Sequence, residues 1–336
     1  MVKAFVRKIN IVGSIPTHIS MTAQQYIEQR LKGIKDKKVK QDGNLVDFIF
    51  TTIMSKKFRK YSVNPVANDM VRKAIELSIQ NNEPIKIAIP YGSYKLWRLE
   101  ESPEPDWAEL FAMIYYAYWL KPITDVYEPG VWFDFCGDDA ILELMNNIPE
   151  KDTNQYKKIF RDLIAFIQNY LPNNFKFTFS PVGERYDSKQ DFLDDLNQKI
   201  NELKQKGLPP LTERQIEMID FNVKLKPGEK INYQENQLLH DAYMAVSKRR
   251  PHHKQPDKIV ICCTPFGDRT SLPMGTTKTS VVKYQTGAGV LCKEKDAFME
   301  YIYSPSQLQN KSYVFELINI TGLSGKNFKT IRVVNI

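Results

Sequence analysis

Long hydrophobic runs are missing from this sequence. No window of about 18 consecutive apolar residues occurs, which excludes a membrane-spanning helix. Met1 to Gly13 mixes basic with apolar residues, but Arg7, Lys8 and Asn10 break any continuous apolar stretch, and this argues against a secretory signal. Cysteine is scarce, with four in 336 residues. Cys136, Cys262, Cys263 and Cys292 have no metal-ligand spacing. Cys262 and Cys263 fall in a strand-like run, where adjacent side chains point to opposite faces. Reduced structural thiols in a cytoplasmic protein are the expectation. Histidine is equally sparse. His252 and His253 follow Arg249-Arg250-Pro251; as neighbours they point apart, and no cysteine pair stands near them in zinc spacing, so no metal is expected there. His240 reads as a packed or exposed helical residue. No Ser-His-Asp or Cys-His set emerges, and there is no internal repeat or low-complexity tract.

What is present suits a packed interior. Apolar residues make up 42% of the chain, charged residues 26% and aromatics 12%, which is globular rather than disordered composition. The length allows one large core, or one core with a smaller appended unit. The formal charge of +8 favours anionic partners. Much of it lies in tracts at 30–40, 56–60 and 248–254, the first two on or beside helices near the N-terminus. Such runs are usually solvated faces. A nucleic-acid-binding or nucleotide-modifying surface is the second reading.

The apolar spacing predicts helices over 22–34 and 45–54. Asn64 caps the next, with Pro65 at its first position, and it runs to about Ile79. The period then changes: Ile85-Lys86-Ile87-Ala88-Ile89 reads as a strand entering Pro90-Tyr91-Gly92, the start of an α/β unit. Asp106 caps a helix over 107–120, and Glu109 completes a capping box. Its aromatic load exceeds one stripe, so burial on most sides is expected. A turn at Pro129-Gly130 leads to a strand over 131–136, ended by Gly137-Asp138-Asp139. A helix over 152–170, a strand over 175–180 and an amphipathic helix over 188–206 follow, then helices over 211–221 and 233–246. Beyond Lys258 the texture is β-rich, with strands expected at 259–263, 281–284, 288–292, 313–318 and 331–334. The reading is an α/β protein with a Rossmann-like central sheet flanked by helices. A helical region over 1–80 packs on a core over 81–270, and a β-rich extension occupies 271–336.

Three constellations carry candidate chemistry. Pro90 to Arg98 follows a strand's carboxyl end, where open α/β sheets place ligands; Lys95 and Arg98 offer charged donors for a phosphate or carboxylate, and Gly92 allows close backbone approach. An ordinary surface loop is the other reading. Asp134, Asp138 and Asp139 end the next strand, and an acid there can serve as a base or orient a hydroxyl; a metal is not expected, and a solvated turn is the alternative. Phe266-Gly267-Asp268-Arg269 runs on to Met274-Gly275-Thr276-Thr277-Lys278-Thr279. This is no P-loop, because Thr277 stands where glycine must precede the lysine. Gly287-Ala288-Gly289 lacks the third glycine of a dinucleotide fingerprint. A hydroxyl-rich loop with Arg269, Lys278 and Lys283 nearby remains, able to hold an anion.

Taken in order, Pro90 to Lys95, Pro105-Asp106-Trp107-Ala108-Glu109, Tyr127-Glu128-Pro129-Gly130-Val131 and Gly137-Asp138-Asp139-Ala140 resemble the isocyanide (isonitrile) synthase family, which includes pyoverdine and dityrosine biosynthesis proteins. The resemblance is best over 82–166. Asp139 stands for the glycine of the family's Ser-Asp-Gly, and Thr264-Pro265 for its His-Pro. It implies condensation of an amino group with a pentulose phosphate ketone, then eliminations leaving an isocyanide, without metal or cofactor. The partners implied are an anionic sugar phosphate and an amino acid, with no membrane. Lys95, Asp106, Glu109 and Asp138 take the catalytic positions, and Arg98, Arg269 and Lys278 are candidate phosphate ligands.

Overall fold

The structure, a computed structural model, describes residues 22–36, 39–41, 43–58, 62–99, 103–223, 225, 227–249, 256–262, 271–273, 287–294, 297–303, 315–318 and 331–335. It opens with helices α1 (Ala23–Lys32), α2 (Leu45–Ile53) and α3 (Pro65–Gln80). Each start is fixed locally. Thr22 and Gln25 form a capping box, Asn44 accepts from the Val46 amide, and Asn64 does the same for Val66 with Pro65 in the first turn. Strand β1 (Ile85–Tyr91) leads to a single helical turn, α4 (Lys95–Arg98), and then to α5 (Trp107–Val126).

Helix α5 passes the expected end at Leu120 and continues through Pro122. Proline removes one backbone donor, which ordinarily breaks a helix. Here Ile123 and Thr124 beyond it are buried, and the Thr124 hydroxyl donates to the Lys121 carbonyl at 2.8 Å. Burial on nearly every side of α5 outweighs the local preference. Strand β2 (Val131–Gly137) follows, then α6 (Asp139–Met145), which the sequence reading missed, and α7 (Glu150–Gln168). Next come β3 (Phe175–Phe179), the helices α8 (Lys189–Lys206), α9 (Glu213–Asn222) and α10 (Tyr233–Ala245), and the strands β4 (Lys258–Cys262) and β5 (Leu272–Pro273).

These five strands form one parallel sheet in the order β3-β2-β1-β4-β5. The chain winds outward in one direction from β1 to β3, then returns to β4 on the other side. The carboxyl ends of β1 and β4 therefore flank the switch point where doubly wound sheets bind ligands. Side chains alternate along each strand. On one face, Ile85, Ile87, Ile89 and Tyr91 of β1 join Phe133 and Phe135 of β2 and Phe175 and Phe177 of β3 in the main core. Tyr116 of α5 stacks on Phe133 with ring centres 4.5 Å apart, and Phe160 of α7 meets Phe135 edge-on at 5.2 Å. The opposite face carries Lys86 on β1, Trp132, Asp134 and Cys136 on β2, Thr178 on β3 and Lys258 on β4, a more polar set. Among the described residues no helix is long and apolar enough to cross a membrane.

A second sheet is built from β6 (Ala288–Glu294), β7 (Ala297–Tyr303), β8 (Phe315–Ile318) and β9 (Ile331–Asn335) in the order β7-β6-β9-β8. The expected strand over 281–284 lies outside the described residues, and β7 was unforeseen. Leu291 of β6 and Phe298 of β7 belong to the main core. A polar tie runs from α1 to β7, where Arg30 donates to both carboxylate oxygens of Glu300 at 3.0 and 3.3 Å. The guanidinium lies over the rings of Phe111 and Tyr118. The N-terminal basic tract thus loses Arg30 from any exposed face: the residue is 4% exposed because a distant carboxylate and two aromatic rings enclose it.

Burial raises the Glu300 carboxyl above its ordinary range, and Arg30 opposes that shift. Arg30→Met is expected to strand this carboxylate and cost about 3–5 kcal/mol of stability. Urea unfolding checks this; a loss under about 1 kcal/mol would mean the pair holds nothing together.

Candidate active site

The carboxyl ends of β1 and β2 lie side by side. Tyr91 pairs with Gly137, and the Asp138 amide donates to the Tyr91 carbonyl at 3.2 Å. The loops that follow therefore leave from one edge of the sheet. Gly92 does permit a close approach, but what approaches is the ring of Tyr94: a Cβ on Gly92 would stand 2.5 Å from it.

Lys95, at the start of α4, turns inward and is fully buried. Its Nζ donates to Asp106 Oδ1 at 2.7 Å and to Glu109 Oε2 at 2.6 Å. The same two acids make the capping box of α5. Asp106 accepts from the Ala108 amide at 2.8 Å, and Glu109 accepts from the Asp106 amide at 2.8 Å. Asp106 Oδ1 also accepts from the Gly289 amide of β6 at 3.0 Å. Gly289 must be glycine for this, since a Cβ there would lie 2.2 Å from the Ala108 nitrogen. Tyr156 of α7 donates its hydroxyl to Glu109 Oε1 at 3.1 Å, and the Tyr91 hydroxyl lies against that of Tyr156.

This cluster corrects one expectation. Lys95 does not offer a free cation to a phosphate, because its charge is taken up by two carboxylates away from water. Two buried acids facing one ammonium leave an excess negative charge. Burial first, and then the neighbouring Asp106 charge, push the Glu109 carboxyl up from an ordinary 4.5 to about 7, against the pull of Lys95. A protonated Glu109 makes the cluster neutral.

Asp138 leaves the same edge toward a different layer. Its Oδ1 accepts from the Tyr243 hydroxyl of α10 at 2.9 Å and from Arg249 Nε at 3.2 Å. The Arg249 guanidinium lies over the Tyr243 ring at 5.2 Å. Asp139 is buried: its Oδ2 accepts from Lys157 at 3.3 Å and its Oδ1 from the Gly183 amide at 3.3 Å. Burial raises its carboxyl while Lys157 opposes. Asp134 is buried as well, held by the hydroxyls of Thr178 and Ser180, each at 2.6 Å. The picture of a solvated acidic turn therefore fails for Asp134 and Asp139. Among the described residues no group of three His, Cys, Asp or Glu side chains is arranged to hold a metal ion.

The structure thus joins Lys95, Asp106 and Glu109 and sets Asp138 on the same edge with other partners. Arg98 lies in α4, its side chain outside the description, and Arg269 and Lys278 lie outside the described residues. Sequence reasoning gave no site role to Arg249, which it counted in a basic tract, and did not connect the helix over 152–170 with the Glu109 carboxylate that Tyr156 reaches. His240 is partly exposed beside Asp241.

Fold and edge together define a Rossmann-like α/β protein with its candidate site at the carboxyl ends of β1 and β2. The crystal structure of the PvcA protein from Pseudomonas aeruginosa shares this fold: the TM-score is 0.53, with 86% of this chain and 99% of that chain covered at 14% identity. Neither a family model nor a curated protein matches the sequence.

Two variants test the buried cluster. Lys95→Met leaves both acids without their cation and is expected to cost about 3–5 kcal/mol. Glu109→Gln keeps the neutral form. A carboxyl raised in the fold stabilises it while protonated, so Glu109's share of stability is lost as pH rises from 4.5 toward about 7. Urea midpoints of Glu109→Gln should lack that decline. An identical pH profile for both proteins would contradict a protonated Glu109.

Proposed function

We propose that the chain is an isocyanide-synthase-like enzyme of specialised-metabolite biosynthesis, which condenses an amino group with the ketone of a pentulose phosphate. The observation that carries this reading is the closure of the resembling motifs on one another. The Pro90 to Lys95 loop and the Asp106/Glu109 pair meet through Lys95 Nζ, and the motif ending in Asp138 leaves the adjoining strand end. They do so on a fold that PvcA shares.

In this reading Asp138 works at the reacting centre. The amine attacks the ketone carbon, the carbinolamine oxygen takes a proton, and water leaves to give an imine. Asp138 moves these protons, oriented by Tyr243 and Arg249. Lys95, Asp106 and Glu109 sit one layer deeper and act as positioning residues. They fix the β1 loop against the start of α5, and Glu109 accepts the Tyr156 hydroxyl of α7. Arg98, Arg269 and Lys278 are the proposed ligands of the sugar phosphate.

Incubation with ribulose 5-phosphate and each amino acid in turn, followed by mass spectrometry, tests the reaction. A condensed product with at least one amino acid is expected, and none with any would overturn the proposal. Asp138→Asn should lower the condensation rate by roughly 10²–10⁴-fold with folding intact. A variant at full rate would remove Asp138 from the chemistry.

A further inference from the structure

Asp138 and Arg249 form an ion pair at the carboxyl edge of the sheet, and each keeps bonding capacity that the pair does not use. Both hydrogen bonds to the Asp138 carboxylate end on Oδ1, from the Tyr243 hydroxyl at 2.9 Å and Arg249 Nε at 3.2 Å. Among the described residues nothing donates to Oδ2. A guanidinium carries N–H donors on all three of its nitrogens. Nε goes to Asp138, and the Tyr243 hydroxyl lies beside the group. No other described residue takes up the terminal nitrogens. The Arg249 and Asp138 side chains are 10% and 19% exposed, so neither is sealed off. Asp139, next along the chain, differs, because Lys157 and the Gly183 amide hold its two oxygens.

The turn after α10 that carries Arg249 is fixed through its backbone. Asp195 Oδ2 of α8 accepts from the Ser247 amide at 2.8 Å, the Ser247 hydroxyl at 2.7 Å and the Tyr186 hydroxyl at 2.6 Å. The Lys248 amide donates to the Tyr186 oxygen at 3.2 Å. Arg185 donates to the carbonyls of Lys248 and Arg249 at 3.1 and 3.2 Å, and to that of Ser180, just past β3, at 2.7 Å. A guanidinium carried on such a turn is preorganised, and a ligand that meets it does not have to order the chain behind it.

We infer that Asp138 Oδ2 and the terminal nitrogens of Arg249 together bind the amino donor as a zwitterion, its ammonium on the acid and its α-carboxylate on the guanidinium. This rests on the proposed function and names the donor's class: a free α-amino acid, and not an amine without a carboxylate. An α-amino acid carries its two charges on one carbon, and Asp138 and Arg249 present the complementary charges in direct contact. The planar fork of a guanidinium matches a carboxylate with two parallel bonds. The sugar phosphate fits the pair less well. Its ketone is separated from the phosphorus by the rest of the carbon chain and an ester oxygen, so a phosphate on Arg249 would carry the ketone away from Asp138. Once the amino acid is bound, its ammonium passes one proton to Asp138, and the freed amine lies beside the acid that the condensation needs.

Calorimetric titration tests the pair. The full-length protein is titrated with each amino acid, with the amine left when its carboxylate is removed, and with ribulose 5-phosphate. Arg249→Gln is titrated in the same way, and condensed product from acids and amines is followed by mass spectrometry. At least one amino acid is expected to bind, with its amine weaker by roughly 10²-fold. Arg249→Gln should bring the acid down to the level of the amine and bind ribulose 5-phosphate as before. An amine that binds as well as its acid, no binding by any amino acid, or a variant that loses ribulose 5-phosphate instead each overturns the inference. Condensed product in those cases leaves the proposed function standing. Selective binding of the acid without condensed product supports the zwitterion pair and overturns the proposed reaction. Absence of both binding and product overturns both. The comparison of acid with amine uses the unaltered protein, so the result does not depend on whether a variant folds.

Discussion

A single ammonium held between two carboxylates in the protein interior constrains the rest of this structure. Lys95 has no contact with water, so its charge requires Asp106 and Glu109 at hydrogen-bond distance. Those acids also satisfy backbone donors at the start of α5, which would otherwise be orphaned. Asp106 further accepts an amide from the second sheet, and Glu109 a hydroxyl from α7. One ion cluster therefore joins the loop after β1, the longest helix, a neighbouring helix and the C-terminal sheet.

Around that knot the parallel sheet divides its labour between its faces. One face is aromatic and aliphatic, packed by α5 and α7, and supplies the burial on which the fold rests. The other carries Asp134, Cys136, Thr178 and Lys258 among semi-exposed neighbours. Charged groups kept on a sheet face without being surrendered to bulk water are costly unless held by partners. Here Thr178 and Ser180 hold Asp134, and the Trp132 ring faces Lys258. The buried charges of the Lys95 cluster and the polar groups of this face therefore lie in separate layers of the fold.

Much of the fold was legible because its signals are local. Asn64-Pro65 marks the start of α3, Asp106 with Glu109 marks α5, and the alternation after Ile85 marks β1. What escaped depends on distant groups. The helix expected to end at Leu120 instead runs on through Pro122, because burial there overrides the local preference. Arg30 read as part of a charged surface because its partner lies 270 residues away at Glu300. Asp106 and Glu109 read correctly as a helix cap, but no spacing rule says that a cap will also neutralise Lys95. The candidate site was legible as a set of positions and not as a set of contacts. The same strand-end logic found Lys95 and Asp138, yet only tertiary packing decides which turns inward and which stays at the edge.

Native-state hydrogen exchange at the amides of Asp106, Ala108 and Gly289 tests the central tie most directly, since all three donate into the Lys95 cluster. They are expected to open together with one free energy, although Gly289 belongs to a different sheet. Independent exchange of Gly289 at a much lower opening energy would show that the C-terminal sheet does not depend on the ion cluster.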